Sequence, residues 1–167
     1  DAQRAKLEKA VPTEYNSIHI DRDGFLYLTT QDTTVPAITK LNCQGDNILR
    51  VNTQYNPEGD FVYYNKSGLN RNSHFVDIGV REDGIYAALD SSMGRIFVYD
   101  QEGVLLYCFG GNGAQKGTFR SASAIEIDGS NIYVTDQTAG TVTVFTETTF
   151  GMAVDKAVTT MLDGQYE

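Results

Sequence analysis

Carboxylates recur along this chain at positions where they could either bind calcium or close turns. Asp32, Asp90 and Asp136 each follow a short apolar run, and carboxylate oxygens are preferred ligands of calcium. An aspartate at the end of a strand also accepts hydrogen bonds from the amides of the next turn. The second interpretation is favoured, because the nearby Asp-Arg-Asp-Gly segment at 21–24 lacks the remaining ligands and the closing glutamate of a calcium loop. We therefore predict no metal and no cofactor.

Other residues with catalytic potential lack the partners that their chemistry needs. His19 and His74 are the only histidines, and no His-x-x-x-His spacing is present for zinc. The glycine cluster at 110–113 resembles a phosphate-binding loop, but no Gly-Lys-Ser/Thr follows, and a strand pattern rather than a helix comes next. We predict a glycine-rich turn there, no catalytic residues and a non-enzymatic protein.

An aromatic segment is the strongest candidate for a partner surface. Residues 53–74 interrupt the regular pattern as a long loop insertion, and such loops are often functional. Aromatic rings with polar tips are favoured at protein interfaces and sugar sites, so a protein or a glycan is the predicted partner. The alternative is that these aromatics only cover the side of the preceding repeat. The predicted surface consists of Tyr55, Phe61, Tyr63, Tyr64, Asn70 and Arg71.

The net charge of the chain argues against two classes of partner. The formal charge is −9 at pH 7, and nucleic acids and anionic lipid surfaces both need a cationic footprint. No run of about 18 apolar residues is present. We therefore predict no nucleic acid and no direct membrane insertion by this segment.

The elements that must position these residues follow from an internal repeat. Residues 90–99 recur as residues 136–145 at an offset of 46, and a weaker copy at 32–41 lies 58 residues before the first. A period in the forties with strand-like alternation is typical of propeller blades of four antiparallel strands. We predict an all-β fold with blades at 15–52, 75–110 and 118–146. The fourth strand of the first blade is predicted at 47–51.

Both ends of the chain are predicted to be helical. Residues 1–14 form an N-terminal helical segment that Pro12 ends, and residues 150–167 form a second helix that Gly164 stops. The second helix takes the place of the fourth strand of the third blade. The third strand of that blade is therefore predicted to be an exposed edge, open to pairing with another strand. Its residues are Thr141, Val142, Thr143, Val144 and Phe145.

A specific resemblance supports the repeat. The glycine-rich segment at 109–120, which ends in Phe119 and Arg120, resembles the turn that precedes each blade of the NHL-repeat propeller family. The runs at 124–128, 132–136 and 142–145 resemble the first three strands of that blade. The resemblance covers about residues 15–150. It departs from the family pattern where a proline usually precedes the first strand, since residues 121–123 contain none.

The resemblance implies part of a six-bladed propeller that acts as a binding scaffold. The segment at 157–167 is similar to the opening of a tetratricopeptide-type helix, and the whole is similar to bacterial envelope proteins in which NHL blades precede helical repeats. An extracytoplasmic or membrane-associated location is implied. The alternative is a lactonase- or lyase-type enzyme with a channel metal, for which the blade starts offer His19, Asp77 and Glu126.

The number of blades predicts association. Two complete blades and a third without its outer strand cannot close a ring, and the open blade faces would leave large apolar patches in water. Either further blades precede this segment in its parent chain, or a second copy completes the ring. We predict a homodimer, or an edge covered by the N-terminal helix.

Overall fold

The computed structural model describes residues 13–32, 34–49, 59, 61–62, 71–162 and 164. Within them the fold is all-β, as predicted, with one helix, and the strands form separate antiparallel sheets. Residues 1–12 of the N-terminal helical segment predicted at 1–14 lie outside the described residues, and residues 13–14 are not in a helix.

The first sheet contains three antiparallel strands in sequential order. They are β1 (Tyr15–Ile20), β2 (Leu26–Thr30) and β3 (Ile38–Leu41). The Asp-Gly sequence at 23–24, typical of tight turns, lies in the turn between β1 and β2. Asp21 Oδ1 accepts hydrogen bonds from the amides of Asp23 and Phe25 at 3.0 and 2.9 Å, and Gly24 has a φ of 85°, which favours glycine.

The predicted fourth strand of this sheet is wrong over its described part. Only Asn47 forms an isolated bridge, to Leu41, and residues 48–49 are not in a strand. The reason is the side chain of Asn47, whose Oδ1 accepts hydrogen bonds from the amides of Lys40 and Leu49, both at 3.2 Å. A side-chain oxygen thus takes the place that a backbone carbonyl would hold in a continued ladder.

The insertion after the first sheet contains a short hairpin. It pairs β4 (Phe61–Val62) with β5 (Arg71–Asn72), with Val62 opposite Arg71. Gly59 lies against β6 of the next sheet, because a Cβ at that position would come within 2.8 Å of the Phe75 ring.

The middle sheet has four strands in sequential order. They are β6 (Phe75–Val80), β7 (Tyr86–Asp90), β8 (Arg95–Tyr99) and β9 (Leu105–Gly110). Every residue of β7 is buried, which agrees with its nearly continuous apolar sequence. A strand covered on both faces needs apolar side chains at odd and even positions alike.

The last sheet has three strands followed by a helix, as the sequence predicts. They are β10 (Ala122–Asp128), β11 (Asn131–Asp136) and β12 (Thr141–Thr146). Helix α1 (Thr149–Leu162) begins at a capping threonine, since Thr148 Oγ1 accepts a hydrogen bond from the Gly151 amide at 3.2 Å. It ends before Gly164, which has a φ of 71° and donates its amide to the Met161 carbonyl at 3.2 Å.

Two apolar clusters hold the three larger sheets together. The first joins the first and middle sheets and contains Tyr27, Ile38, Ile78 and Phe97. The second joins the middle and last sheets and contains Leu89, Ile96, Val98, Ile125 and Val134. Among the described residues, the middle sheet is therefore packed on both faces, whereas each outer sheet packs against it through one face.

Close approach between β6 and β10 depends on Gly79. A Cβ at this position would lie 3.2 Å from the Glu126 Cα and 3.1 Å from the Ile127 side chain. We expect Gly79→Ala to lower the free energy of unfolding by roughly 1–2 kcal/mol. The steric strain of the overpacked contact should exceed the stabilisation that alanine provides by lowering the conformational entropy of the unfolded chain. Urea unfolding followed by circular dichroism measures this. Gly111→Ala is the matched control, since a Cβ there meets nothing within 4 Å. Equal stability of the two variants would contradict the prediction.

Candidate binding surfaces

The register of the strands shows which positions of the three sheets are equivalent. Ile18 pairs with Leu28 as Ile78 pairs with Ala88 and Ile125 with Val134. In the same way, Val142 and Val144 of β12 occupy the positions that Ile96 and Val98 hold in β8. Equivalent positions can therefore be compared for exposure.

The two outer sheets expose apolar side chains that the equivalent positions of the middle sheet bury. Ile18 and Ile20 are 62% and 63% exposed, while Ile78 is only 2% exposed. We call the surface around Ile18 and Ile20 the first end face. Val142 and Val144 are 61% and 51% exposed, while Ile96 and Val98 are 0% and 1% exposed. We call the surface around Val142 and Val144 the last end face.

The predicted edge strand forms the border of the last end face. β12 pairs with β11 in the three-stranded order β10-β11-β12. Its exposed and partly buried residues alternate, so Val142 and Val144 face away from the middle sheet. Phe145 points the other way and contacts Phe109 at a centroid distance of 5.0 Å. Of the predicted edge residues, the two valines thus contribute the apolar part of the face.

One carboxylate links the first strands of the three larger sheets. Asp77 on β6 accepts a hydrogen bond from the Ser17 hydroxyl of β1 and another from the Ile125 amide of β10, the latter at 2.8 Å. The three residues come from three different sheets. The equivalent position in the last sheet is Ala124, which has no acceptor. Both oxygens of Asp77 are engaged, and Glu126 Oε1 accepts the amide of Ile127 at 2.9 Å.

The repeated aspartates act as turn acceptors, which confirms the favoured interpretation, and two of them hold equivalent positions. Asp90 Oδ1 accepts the amides of His74 and Ser92, both at 2.8 Å. Asp136 accepts the amides of Ala139 and Arg120 at 2.9 and 2.7 Å. These amides favour the ionised carboxylate and hold the pKa of Asp136 below its ordinary value.

In the first sheet, the prediction that Asp32 occupies the position equivalent to Asp90 and Asp136 is wrong. β2 ends at Thr30, which pairs with Tyr15 as Asp90 pairs with Phe75. Asp32 lies two residues farther on in a longer turn, where its Oδ1 accepts the Thr34 amide at 2.9 Å. The Thr34 hydroxyl, which donates to the same oxygen at 2.6 Å, and then this amide lower the pKa of Asp32. Two additional residues in this turn are the reason, because they shift the aspartate out of register.

The glycine-rich segment forms the predicted turn. Gly113 donates its amide to the Phe119 carbonyl at 2.8 Å, and Phe119 donates to the Gly111 carbonyl at 2.9 Å. Asn112 donates its side-chain amide to the Ser92 carbonyl at 2.8 Å. Because protein carbonyls accept the Gly113 and Asn112 donors, these groups close the turn rather than bind an anion.

A charged cluster beside α1 went unpredicted from the sequence. The Arg81 guanidinium contacts Asp83 at 2.7 Å, Glu147 at 2.8 Å and Asp155 at 2.7 Å. Arg81 and Asp83 belong to the β6–β7 turn, Glu147 to the β12–α1 connection and Asp155 to α1. Tyr107 donates its hydroxyl toward Asp155 at 3.5 Å. Three carboxylates around one arginine give this cluster an excess of negative charge.

The pKa values in the cluster shift in opposite directions. Burial and the neighbouring Asp155 raise the pKa of Glu147, although Arg81 acts against them. Burial also raises the pKa of Asp83, but the bond from Arg81 outweighs it and the net shift is downward. Burial and Asp155 raise the pKa of Tyr107 to about 12. Glu147 therefore accepts a proton more readily than Asp83.

A cavity of about 420 Å³ lies next to this cluster, between the middle and last sheets. Its walls are largely apolar and include Tyr107, Phe109, Ile132 and Phe145, and Phe150 of α1 lies at its border. It is on the opposite side of β12 from Val142 and Val144, so the cavity and the last end face are separate features.

The predicted aromatic surface is only partly described. Phe61 and Arg71 lie in the β4–β5 hairpin, whereas Tyr55, Tyr63, Tyr64 and Asn70 lie outside the described residues. Among the described residues, no group of three or more His, Cys, Asp and Glu side chains is arranged to hold a metal ion. No described helix is long and apolar enough to cross a membrane.

The sheets and end faces define an all-β protein built from repeated antiparallel sheets. No protein-family model matches the chain, and no curated protein matches it. Among solved structures, the computationally designed Ika4 protein is similar, with 13% identity, a TM-score of 0.42 and coverage of 84% of this chain and 95% of that protein. The computationally designed Ika8 protein is also similar, with 15% identity and a TM-score of 0.42. The match covers 79% of this chain and 45% of the Ika8 chain.

Proposed function

We propose that this chain is a non-enzymatic scaffold that binds protein through its two end faces, with its sheets acting as blades of a propeller of the NHL type. The observation that carries the proposal is the contrast in exposure at equivalent positions. Val144 is 51% exposed, and the equivalent Val98, which packs against the next sheet, is 1% exposed. Burying such a side chain fully stabilises a contact by about 1.5–3 kcal/mol. A second sheet is the natural partner for both faces.

The engagement of the candidate catalytic residues supports a binding rather than an enzymatic role. Asp77 links three sheets through both of its oxygens, so it holds the scaffold together instead of presenting a free carboxylate.

Stoichiometric calcium or zinc in the purified protein would favour a lactonase- or lyase-type propeller instead. The resemblance to bacterial envelope proteins supports an extracytoplasmic location as part of the proposal.

Photo-crosslinking tests the binding role. The photoreactive amino acid p-benzoylphenylalanine replaces Val144 in one variant and Val104 in a control, and the full chain is irradiated both in the expressing cells and after purification. Val104 is 57% exposed and lies in the β8–β9 turn, away from the end faces. We expect several-fold more adducts with polypeptide, either another copy or a different protein, from position 144. Equal yields from the two positions would overturn the proposal.

A further inference from the structure

The two end faces are equivalent to surfaces that already pack against each other inside the molecule. The second apolar cluster forms where Ile96 and Val98 of the middle sheet meet Ile125 of the last sheet. Val142 and Val144 of the last end face are the equivalents of Ile96 and Val98. Ile18 of the first end face is the equivalent of Ile125. The last end face therefore carries one half of an internal contact, and the first end face carries the other half.

We propose that the last end face of one copy of this chain packs against the first end face of a second copy, and that two copies close a ring through two identical contacts. This inference rests on the proposed function and names the partner. The contact is head-to-tail, since two different faces meet, and such contacts either close a ring or extend into a filament. Two chains of three sheets supply six, which lies within the four to eight blades that propellers contain.

A closed ring of two copies should be more stable than an open pair that shares one contact. Once the first contact has formed, the second forms within the same assembly at a high effective concentration. Both faces then lose their exposed isoleucine and valine side chains to the interior. The net charge of −9 on each chain opposes association, so added salt should strengthen the dimer.

One polar feature distinguishes the intermolecular contact from the internal one. Inside the molecule, Asp77 accepts the Ile125 amide at 2.8 Å. At the proposed contact, the position of Asp77 is held by Ala124, and the position of Ile125 by Ile18 of the second copy. The Ile18 amide therefore lacks the carboxylate that its equivalent has. Ala124→Asp should supply it and tighten the dimer.

Sedimentation equilibrium of the full chain over about 1–100 μM, at moderate salt, tests the ring. We expect a mass of twice the 18.4 kDa of one chain. Val144→Asp and Ile18→Asp should each be monomeric, while Val104→Asp, which adds the same charge outside the faces, should remain dimeric. A monomeric wild type at the highest concentration would overturn the ring but leave crosslinking at position 144 as an independent test of the proposed function. A mass that grows beyond the dimer would also overturn closure.

Mixing variants distinguishes a head-to-tail contact from a symmetric one. A Val144→Asp chain and an Ile18→Asp chain share one intact contact, so the mixture should form dimers that neither variant forms alone. If Ile18→Asp by itself remained fully dimeric while Val144→Asp did not, the contact would be last face to last face and the proposal would be wrong.

The gain-of-contact variant keeps the test valid if an Asp substitution unfolds its sheet. Ala124→Asp should lower the dimer dissociation constant at least tenfold, because a charge-assisted hydrogen bond forms at each contact. Ala114→Asp, an exposed position in the glycine-rich loop, is the control for added charge. Equal dissociation constants for the two alanine variants would contradict the proposed packing.

Discussion

Replacing Arg81 with methionine is expected to lower the free energy of unfolding at pH 7 by about 2–3 kcal/mol. The arginine contacts Asp83, Glu147 and Asp155, and removing it leaves three carboxylates close together with no cation. Loss of one partner from a buried ion pair typically costs about 3–5 kcal/mol, and the smaller figure applies here because the Arg81 side chain is 16% exposed. Urea unfolding followed by circular dichroism measures the loss, since the chain contains no tryptophan.

The loss should depend on pH in a defined direction. The pKa of Glu147 is raised above its ordinary value of 4.5 in the folded protein. A group with a raised folded pKa binds its proton more readily in the native state, so its contribution to stability is present below the ordinary pKa and is lost as the pH rises through the raised value. The deficit of Arg81→Met should therefore shrink between pH 7 and pH 4.5, because protonation of Glu147 reduces the repulsion.

Hydrogen exchange locates the effect of the arginine. Because Glu147 precedes α1 and Asp155 lies within it, amides of residues 149–162 should exchange faster in Arg81→Met than in the wild type. Arg22→Met, at an exposed position in the β1–β2 turn, is the matched control and should change neither stability nor exchange. A deficit of the same size at pH 7 and pH 4.5 would show that the charge cluster is not its cause.

Replacing Asp90 with alanine should be at least as costly, at about 3 kcal/mol. Asp90 is fully buried, and its Oδ1 accepts the amides of His74 and Ser92 at 2.8 Å and the Ser92 hydroxyl at 2.7 Å. A buried donor that loses its acceptor costs about 1–3 kcal/mol. The bonds also connect the residue before β6 to the β7–β8 turn, so alanine should loosen both.

Two further variants separate the causes of this loss. Asp90→Asn keeps an acceptor oxygen without the charge, and we expect it to lose roughly half as much stability as alanine. Asp23→Ala removes an exposed aspartate from the β1–β2 turn and should have little effect. If Asp90→Ala unfolded at the same urea concentration as Asp23→Ala, the turn acceptor would not contribute to stability as proposed.

Most of the strands could be predicted because their signals are local. The Asp-Gly turn at 23–24 and the alternation of residues 17–21 before it both depend on neighbouring residues, and the blade predicted at 75–110 contains β6 to β9 as the structure shows them. The helix after the last sheet and its stop at Gly164 were also predicted, and the structure adds the cap at Thr148; both residues act on backbone groups within a few residues. Local hydrogen bonds and periodicity do not depend on distant parts of the chain.

The errors lie where a side chain or a turn length changes the register. Asn47 diverts the predicted fourth strand through its own side chain. The repeat aligned Asp32 with Asp90, whereas strand pairing aligns Thr30 with Asp90. An offset read from the sequence averages over turns of different length, so it cannot show which residues lie opposite each other.

Sequence by itself determined the all-β composition, the positions of most strands and the turn-closing role of Asp90 and Asp136, because these depend on alternation and on bonds between near neighbours. Only the tertiary structure decided the rest. It brought Arg81 within 2.8 Å of Glu147, 66 residues away, and it joined Ser17, Asp77 and Ile125 across three sheets. It also made Ile78 buried and its equivalent Ile18 exposed. Two isoleucines in the same local pattern differ only in what packs against them, and that depends on the arrangement of the sheets.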